Sequence, residues 1–300
     1  MDRLEAMSVF LAAVETGSLS AAGRRLGMPL ATVSRKLSDL EAHMRTRLLQ
    51  RSTRKLTLTD AGADYLAACK RILEDVEEAE RAASGEYSAP KGDLVVTAPV
   101  LFGRLHVLPA TIEFLKIYPD VNVRLVLGDR VLNLRDDHID LAVRIGALPD
   151  SNLVATRVGA IRPVVCASPA YLAQRGVPRR PEDLARHDAI CFDGLAAAWT
   201  FRADKGDIDV RVNARLVVNS ADAAIDASIA GAGITRALSY QIAGARRAGL
   251  LEAVLQDFEP DEWPVSLVYA TRGRLPVKLR AFIDFIAPRI RDRLADEHAA

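Results

Sequence analysis

Seven cationic side chains between positions 24 and 55 stand where they could meet a polyanion: Arg24 and Arg25, Arg35 and Lys36, Arg51, and Arg54 with Lys55. A guanidinium presents a planar fork of donors that fits a phosphate or the edge of a guanine, and an ammonium acts as a point charge on phosphate. Between them lie short hydroxyl side chains, Ser18, Thr32, Ser34 and Ser38, which donate to phosphate oxygens without bulk. Pro29, Leu30 and Ala31 add a small, uncharged run at the start of a helix-forming stretch. Residues 1–60 carry ten Lys/Arg against six Asp/Glu, a net +4 in a chain whose total is +1. A basic head on a mildly acidic body predicts a polyanion as the head's partner. A surface that is basic by chance is the alternative that charge alone leaves open.

These side chains need elements to hold them. Leu4, Met7, Phe10, Leu11 and Val14 recur at three and four, the apolar face of a first helix that Gly17 ends. Ser18 suits the N-cap of a second helix with Leu19, Ala22 and Leu26 on one side, and Gly27 stops it. Pro29 stands where a third helix starts, with Val33, Leu37, Leu40 and Met44 as its buried stripe. At about 100° per residue the opposite face holds Ala31, Arg35, Ser38 and Ala42, flanked by Thr32, Ser34 and Asp39. Two short helices joined by a tight glycine turn make a helix-turn-helix, and the third helix offers a short polar face centred on Arg35 of the kind a major groove admits. Leu56 and Leu58 then alternate with Lys55, Thr57 and Thr59, a strand period, so Arg51–Lys55 tips a hairpin able to reach an adjacent minor groove. The expectation for residues 1–58 is an all-α winged helix-turn-helix. A three-helix domain that binds protein through a solvated basic face is the competing reading.

From Thr59, a suitable N-cap, Tyr65, Cys69, Ile72, Val76, Ala79 and Ala83 recur at four, three, four, three and four, with acids alongside. That is a coiled-coil seam of nearly three heptads and predicts a dimerisation helix over 59–90, with Ser84–Gly92 as a hinge. Cys69 in this seam reads as a small packed hydrophobe rather than a redox switch.

Residues 91–300 alternate strand and helix, which predicts a parallel-rich α/β domain. "DLVVTAPV" reads as a strand, followed by a helix buried through Leu105, Leu108, Ile112 and Leu115, the strand "VNVRLVLG", a short helix near Val131–Arg135 and the strand "DLAVRIG". "VVCASPAYLAQRG" echoes "VVTAPVLFGRLHV" and suggests two similar lobes. No nucleophile elbow, P-loop or complete dinucleotide fingerprint is present, so no enzyme activity is expected. Three distant cysteines and five scattered histidines give no metal spacing, and Asp136, Asp137, His138 and Asp140 read as a solvated turn; no cofactor is expected. The start of the chain lacks a signal-peptide pattern and no segment approaches the ~20 apolar residues of a membrane span, so the expectation is a cytoplasmic protein without membrane contact. In α/β sheets ligands sit beyond the carboxyl ends of strands. The candidates there are Pro99, Val100, Leu101 and Phe102, then Asp129, Arg144, Gly146, Asn219 and Ser220, and the glycine-rich turn with Gly233 and Thr235. The apolar run Val100–Phe102 favours an aromatic or partly apolar small molecule, and backbone amides at Phe102/Gly103 and Ser220 could hold a carboxylate.

The order "AMSVFLAAVETGSLSAAGRRLGMPLATVSRKLSDLEAHMRTRLLQRSTRKLTLTDAG" resembles the N-terminal domain of LysR-type transcriptional regulators, over essentially the whole domain. "PLATVSRK" and "VRIGALPDS" look like the CrgA-like subgroup. Where the family usually shows Ser-Gln-Pro-Ala at the start of the third helix, this chain has Pro29, Leu30, Ala31 and Thr32, so the usual glutamine base contact is absent. The resemblance implies an antiparallel linker-helix dimer, homotetramers through the body domains, and a two-lobed effector-binding domain like type 2 periplasmic binding proteins. Lobe I would take about 91–162 and 264–300, and lobe II about 163–263, with crossings near Arg162-Pro163 and Trp263-Pro264. It implies a transcriptional regulator that binds an inverted-repeat operator in double-stranded DNA and a small-molecule effector. An enzyme with a fused DNA-binding head and a solute-binding transport protein are the rival readings.

Overall fold

Asp2 starts the first helix, α1 (Arg3–Thr16), by accepting from the backbone N–H of Leu4 and Glu5. Gly17 ends it in the left-handed region at φ 65°. The Ser18 hydroxyl accepts from Ala21 N–H to cap α2 (Leu19–Leu26), which closes on Gly27, and α3 (Leu30–Met44) follows directly after Pro29. The structure, a computed structural model, describes residues 1–51, 56–84, 89–134, 136–192, 198–203, 206–270 and 275–299. It forms two units, Met1–Ser88 and Ala89–Ala300.

Val33, Leu37 and Leu40 of α3 are buried on the face the periodicity indicates. The first helix turns differently. Leu4 is 40% exposed, and the buried face is Ala6, Val9, Phe10, Ala12 and Ala13. A pattern of large apolar residues misses this because alanines make the close contacts. Gly23 shows how tight the motif is: a Cβ there would lie 2.6 Å from the Met28 carbonyl oxygen, so α2 reaches the turn only as glycine. The strands β1 (Leu49–Arg51) and β2 (Leu56–Leu58) pair antiparallel, with Arg51 opposite Leu56. Glu41 ties this hairpin to α3 by accepting from Leu48 and Leu49 N–H at 2.8 and 3.0 Å. Thr59 Oγ1 accepts from Gly62 N–H at 2.9 Å and starts α4 (Asp60–Ser84).

In the second unit β3 (Gly92–Ala98) leads into one continuous helical path, α5 (Val100–Phe102), a π-helical turn (Gly103–Val107) and α6 (Leu108–Ile117). β4 (Val121–Leu127) and β5 (Leu141–Ile145) flank β3 in parallel. After β6 (Leu153–Ile161) come β7 (Pro163–Ala167), α7 (Pro169–Arg175), β8 (Asp188–Phe192), the hairpin β9 (Ala198–Ala203) and β10 (Gly206–Arg211), then β11 (Asn213–Val218). The path ends with α8 (Ala221–Ile229), β12 (Ile234–Leu238), α9 (Ser239–Arg247), β13 (Glu252–Val254), β14 (Trp263–Ala270) and α10 (Val277–Ala299).

Two five-stranded sheets result, ordered β4-β3-β5-β14-β6 and β11-β8-β12-β7-β13. In each, four strands run in one direction and the fourth in the order, β14 or β7, runs against them. The order makes β8, not β7, the counterpart of β3. The sequence echo therefore links strands that occupy different places, and β7 matches β14 instead. The closing helix α10 packs Phe282, Ile286, Ile290 and Leu294 into the first lobe's core.

Two local expectations fail. Leu105, Leu108 and Ile112 are 40%, 38% and 48% exposed, and the buried positions are His106, Val107, Ala110, Thr111 and Phe114. The π-turn adds a residue to the helical path and rotates the face away from the simple 3.6-residue stripe. Over Val131–Leu134 there is no helix; Asp137 and Asp136 accept from the backbone and side-chain amides of Asn133, a competing turn that disfavours helix, and Arg135 lies outside the described residues.

The lobes are clasped at their crossing. Ser239 N–H donates to the Arg162 carbonyl at 2.8 Å, Arg162 N–H donates to Ser239 Oγ at 3.2 Å, and the Arg162 guanidinium stands 3.8 Å from Glu259. Tyr240, on the first turn of α9, sits 3% exposed in the first lobe's core, edge-on to Phe102 at 5.3 Å and His106 at 5.4 Å.

Candidate DNA-reading surface and effector cleft

On α3 the exposed residues are Leu30, Ala31, Arg35, Ser38, Asp39, Ala42 and His43, with Thr32 and Ser34 half-buried at its edge. No side chain caps the start of this helix: Pro29 carries none that can, and Leu30 leads into solvent at 50% exposure. The first turn thus presents backbone N–H groups together with the positive end of the helix dipole, which suits phosphate. Arg24 on α2 is exposed, and neither it nor Arg35 makes an ion pair with a described residue.

Three of the candidates are already engaged within the head. Lys36 is only 20% exposed and its Nζ pairs with Glu5, so it fastens α3 to α1 and does not face outward. Arg25 is held by Glu15 at 2.6 Å, an exposed pair that yields readily to a stronger anion. The Ser18 hydroxyl caps its helix. Arg51 heads the hairpin through its backbone, opposite Leu56; Arg54 and Lys55 lie outside the described residues.

The linker seam divides in two. Tyr65 and Cys69 are used by the head itself: Tyr65 stands 5.7 Å from the Phe10 ring and Cys69 is fully buried in the same core. They are corrected from seam to core, because α1 competes for them, a partner that a heptad pattern does not reveal. Burial, the larger effect, holds the Cys69 thiol above its ordinary range, which suits a packed hydrophobe. Ile72 at 38% exposure, half-buried Val76 and exposed Ala79 remain along one stripe; the Ala83 side chain lies outside the described set.

In the two-lobed unit the strand ends carry Pro99, Val100, Asp129 and Gly146 on the first lobe and Asn219 and Ser220 on the second. Val100 is 38% exposed, whereas Phe102 is fully buried in the core and Leu101 is 4% exposed, so neither offers the strand-end cleft an open surface. The amide at this helix start is taken: Val100 N–H donates to Asp129 Oδ1 at 3.1 Å. The carboxylate expected of a ligand is supplied by the chain itself. Ser220 likewise caps α8 by accepting from Ala223 N–H. Arg144 is half-buried and its guanidinium donates to the Leu132 carbonyl; burial lowers its pKa. Gly146 adopts φ 95° at the end of β5 and donates its N–H to the Pro264 carbonyl.

Gly233 and Thr235 are misplaced in the sequence reading. They stand at the amino end of β12, beside the start of β8, while Asn219 and Ser220 follow the far end of the parallel β11. Thr235 is fully buried and donates to the Ile190 carbonyl, and a Cβ on Gly233 would lie 2.3 Å from the Asp188 carbonyl oxygen. A glycine-rich turn looks the same in sequence at either end of a strand.

Sequence reasoning passed over Arg104 and Asp222. They form an ion pair at 3.4 Å between the first lobe's helical path and the first turn of α8. Nothing local marks them, since their partners lie 118 residues apart.

A recognition helix beside a hairpin, and a separate unit of two sheets with strand ends facing between lobes, define a DNA-binding regulator with a sensor domain. Residues 4–63 match the model of the bacterial regulatory helix-turn-helix proteins of the lysR family, and residues 88–291 match the LysR substrate binding domain. The chain belongs to the LysR family of transcriptional regulators, which are not enzymes. Among similar proteins are an HTH-type transcriptional repressor of Pseudomonas aeruginosa, 34% identical over 95% of this chain and 92% of that protein, and the HTH-type transcriptional activator AaeR of Escherichia coli, 34% identical over 95% and 93%. Solved structures that resemble it include CrgA of Neisseria meningitidis, TM-score 0.62 and 30% identity over 95% of this chain and 98% of that one. The virulence activator AphB of Vibrio cholerae follows at 0.61 and 27% over 94% and 98%. Among the described residues no helix is long and apolar enough to cross a membrane.

Proposed function

We propose that this regulator works in the cytoplasm as a homodimer or homotetramer, reads an inverted-repeat operator with Arg35 at the centre of each half-site contact, and is switched by an aromatic or partly apolar molecule in the strand-end cleft. The observation that carries the first part is the exposed Arg35 on a face whose other exposed residues toward the uncovered start of α3 are Leu30 and Ala31, followed by Ser38, Asp39 and Ala42. The stripe Ile72, Val76 and Ala79 supports pairing through α4. Exposed Val100 between Pro99 and the Asp129 carboxylate supports a ligand with an apolar part and without a carboxylate at that point, since two carboxylates sharing one site repel. Ligand acts here only through its different affinity for open and closed lobes, typically worth ~1–3 kcal/mol.

The test is footprinting on DNA upstream of its own and the neighbouring gene, with and without a panel of small aromatic compounds. Protected half-sites should stand about one helical turn, or a multiple, apart. Val100→Glu should abolish the response to an active compound while leaving operator affinity without it nearly unchanged. Ile72→Glu with Val76→Glu should lower the sedimentation coefficient and collapse DNA binding; an unchanged oligomer would refute the seam.

A further inference from the structure

Beside the strand-end cleft lies a cavity of about 430 Å³ whose walls are helical throughout. One side belongs to the first lobe, from the π-turn and α10; the other belongs to the second, from α8 and α9. Its rim carries three guanidinium groups, Arg104, Arg247 and Arg293, against a single carboxylate, Asp222. Its floor is apolar: Leu101 at 4%, Tyr240 at 3% and Ile225 at 6% exposure. We propose that this cavity is a second ligand site, distinct from the strand-end cleft, and that it binds a small organic carboxylate with an apolar body.

The charge balance selects the sign. Three cations face one anion, and that anion, Asp222, is the partner of Arg104 at 3.4 Å. Arg293 is drawn toward Glu113 at 3.6 Å and donates to the Leu105 carbonyl at 3.2 Å, which fixes its guanidinium at the rim. Arg247 makes no ion pair with a described residue. An incoming carboxylate therefore finds one uncommitted fork in Arg247, one anchored fork in Arg293, and one, Arg104, that it takes over from Asp222. Buried His106 lies behind the rim, where burial and Arg293 keep its imidazole uncharged, so it adds no competing charge.

The floor selects the body. Cavities of about 300–1,000 Å³ with apolar walls and a few polar groups hold small organic ligands. Inorganic anions gain from the rim alone, whereas a carbon skeleton also gains from Leu101, Ile225 and the Tyr240 ring. The contrast with the cleft is electrostatic: there Asp129 occupies the helix start, and here arginines line the mouth. Because the cavity takes walls from both lobes, and because binding replaces the Arg104–Asp222 bridge between them, occupancy changes the balance between open and closed lobes.

Calorimetry of the full chain decides this, with phenylacetate as probe, phenylacetamide as its neutral twin and inorganic phosphate as the anion without an apolar body. Phenylacetate should saturate one site per chain, and both controls should bind at least about tenfold more weakly. Arg247→Ala should weaken phenylacetate about tenfold, and Asp222→Asn should tighten it several-fold by removing the competing carboxylate. A merely structural role for Asp222 gives no gain of affinity. Phenylacetamide or phosphate binding as tightly as phenylacetate, no saturable binding of phenylacetate up to about 10 mM, or indifference to both substitutions overturns the proposal. Binding lost in Val100→Glu but retained in Arg247→Ala would place the carboxylate in the strand-end cleft, which overturns this site and leaves the reading of that cleft standing.

Discussion

Arg24 and Arg35 of the head stand exposed without an ion pair to any described residue, while ion pairs among the described residues of the two-lobed unit join separate elements of the chain. Arg104 reaches Asp222, Arg289 and Arg293 both reach Glu113, Arg175 and Arg215 share Asp188, and Arg162 meets Glu259. The same residue type does two jobs. Where the partner is another molecule, guanidinium groups are left uncommitted on a flat polar face. Where the partner is the chain itself, they stitch helices and strands that share no local sequence signal. Within the head the rule holds on a smaller scale, since Lys36 turns inward to Glu5 and its neighbour Arg35 does not.

The strongest way to break this contrast is Arg35→Ala. It should cost about 1–3 kcal/mol of sequence-specific affinity in gel-shift titrations and relax discrimination at one base position. Arg24→Ala should weaken all sequences alike and lower the salt slope by about one. Operator discrimination that survives Arg35→Ala would remove α3 from the groove.

A second test concerns an inward-facing group. Burial first, and Arg293 second, push His106 down to about 4 from its ordinary 6.5. The unfolded chain therefore binds a proton that the folded domain refuses between those values. Stability is complete above about pH 6.5 and falls as the pH drops toward 4, by about 2 kcal/mol between pH 7 and pH 5. Urea denaturation of the full chain at the two pH values measures this, and His106→Phe should flatten the dependence. A pH-independent midpoint in the unsubstituted chain would show that His106 takes up its proton in the fold as readily as in the unfolded chain.

Lys36→Ala sharpens the comparison at lower amplitude. It should destabilise the head by under about 1 kcal/mol, visible as a lower melting temperature, and leave base discrimination intact. Smallest of all, Arg104→Ala should change stability by less than about 0.5 kcal/mol, because the pair with Asp222 is exposed on both sides. Operator affinity without any added ligand should not move in a gel shift; a change there would show that the bridge itself sets the resting state.

How much was legible follows from distance along the chain. Ser18, Gly17, Gly27 and the stripe Val33–Leu37–Leu40 lie within one or two turns of what they control, so the helix-turn-helix reads directly. The alternation of strand and helix, and the crossing at Arg162-Pro163, are likewise local. The misreadings at the candidate sites involve remote partners, whereas those over Leu105–Ile112 and Val131–Leu134 come from a π-turn and a local turn. Phe102 is drawn inward by Tyr240, 138 positions on, and Tyr65 is claimed by Phe10. A glycine pattern marks the turn before Thr235, but which end of β12 lies at the strand-end side depends on its pairing with β8. The hairpin β9–β10, with Trp199 and Phe201 buried in the second lobe, was not anticipated because its strands bind neither five-stranded sheet.

The clasp at the crossing has a mechanical meaning. Arg162 is bonded in both directions to Ser239 at the start of α9 and reaches Glu259, and just before it Ile161 and Ala160 pair with Trp263 and Pro264, so the outgoing and returning segments are joined at one place. Two bodies linked by separate, untied strands can slide, twist and bend. Tied together, the strands lose sliding and most of their twist, and one bending freedom is left. A molecule settling between the lobes then has a single mode to drive, and its binding is read out as an angle.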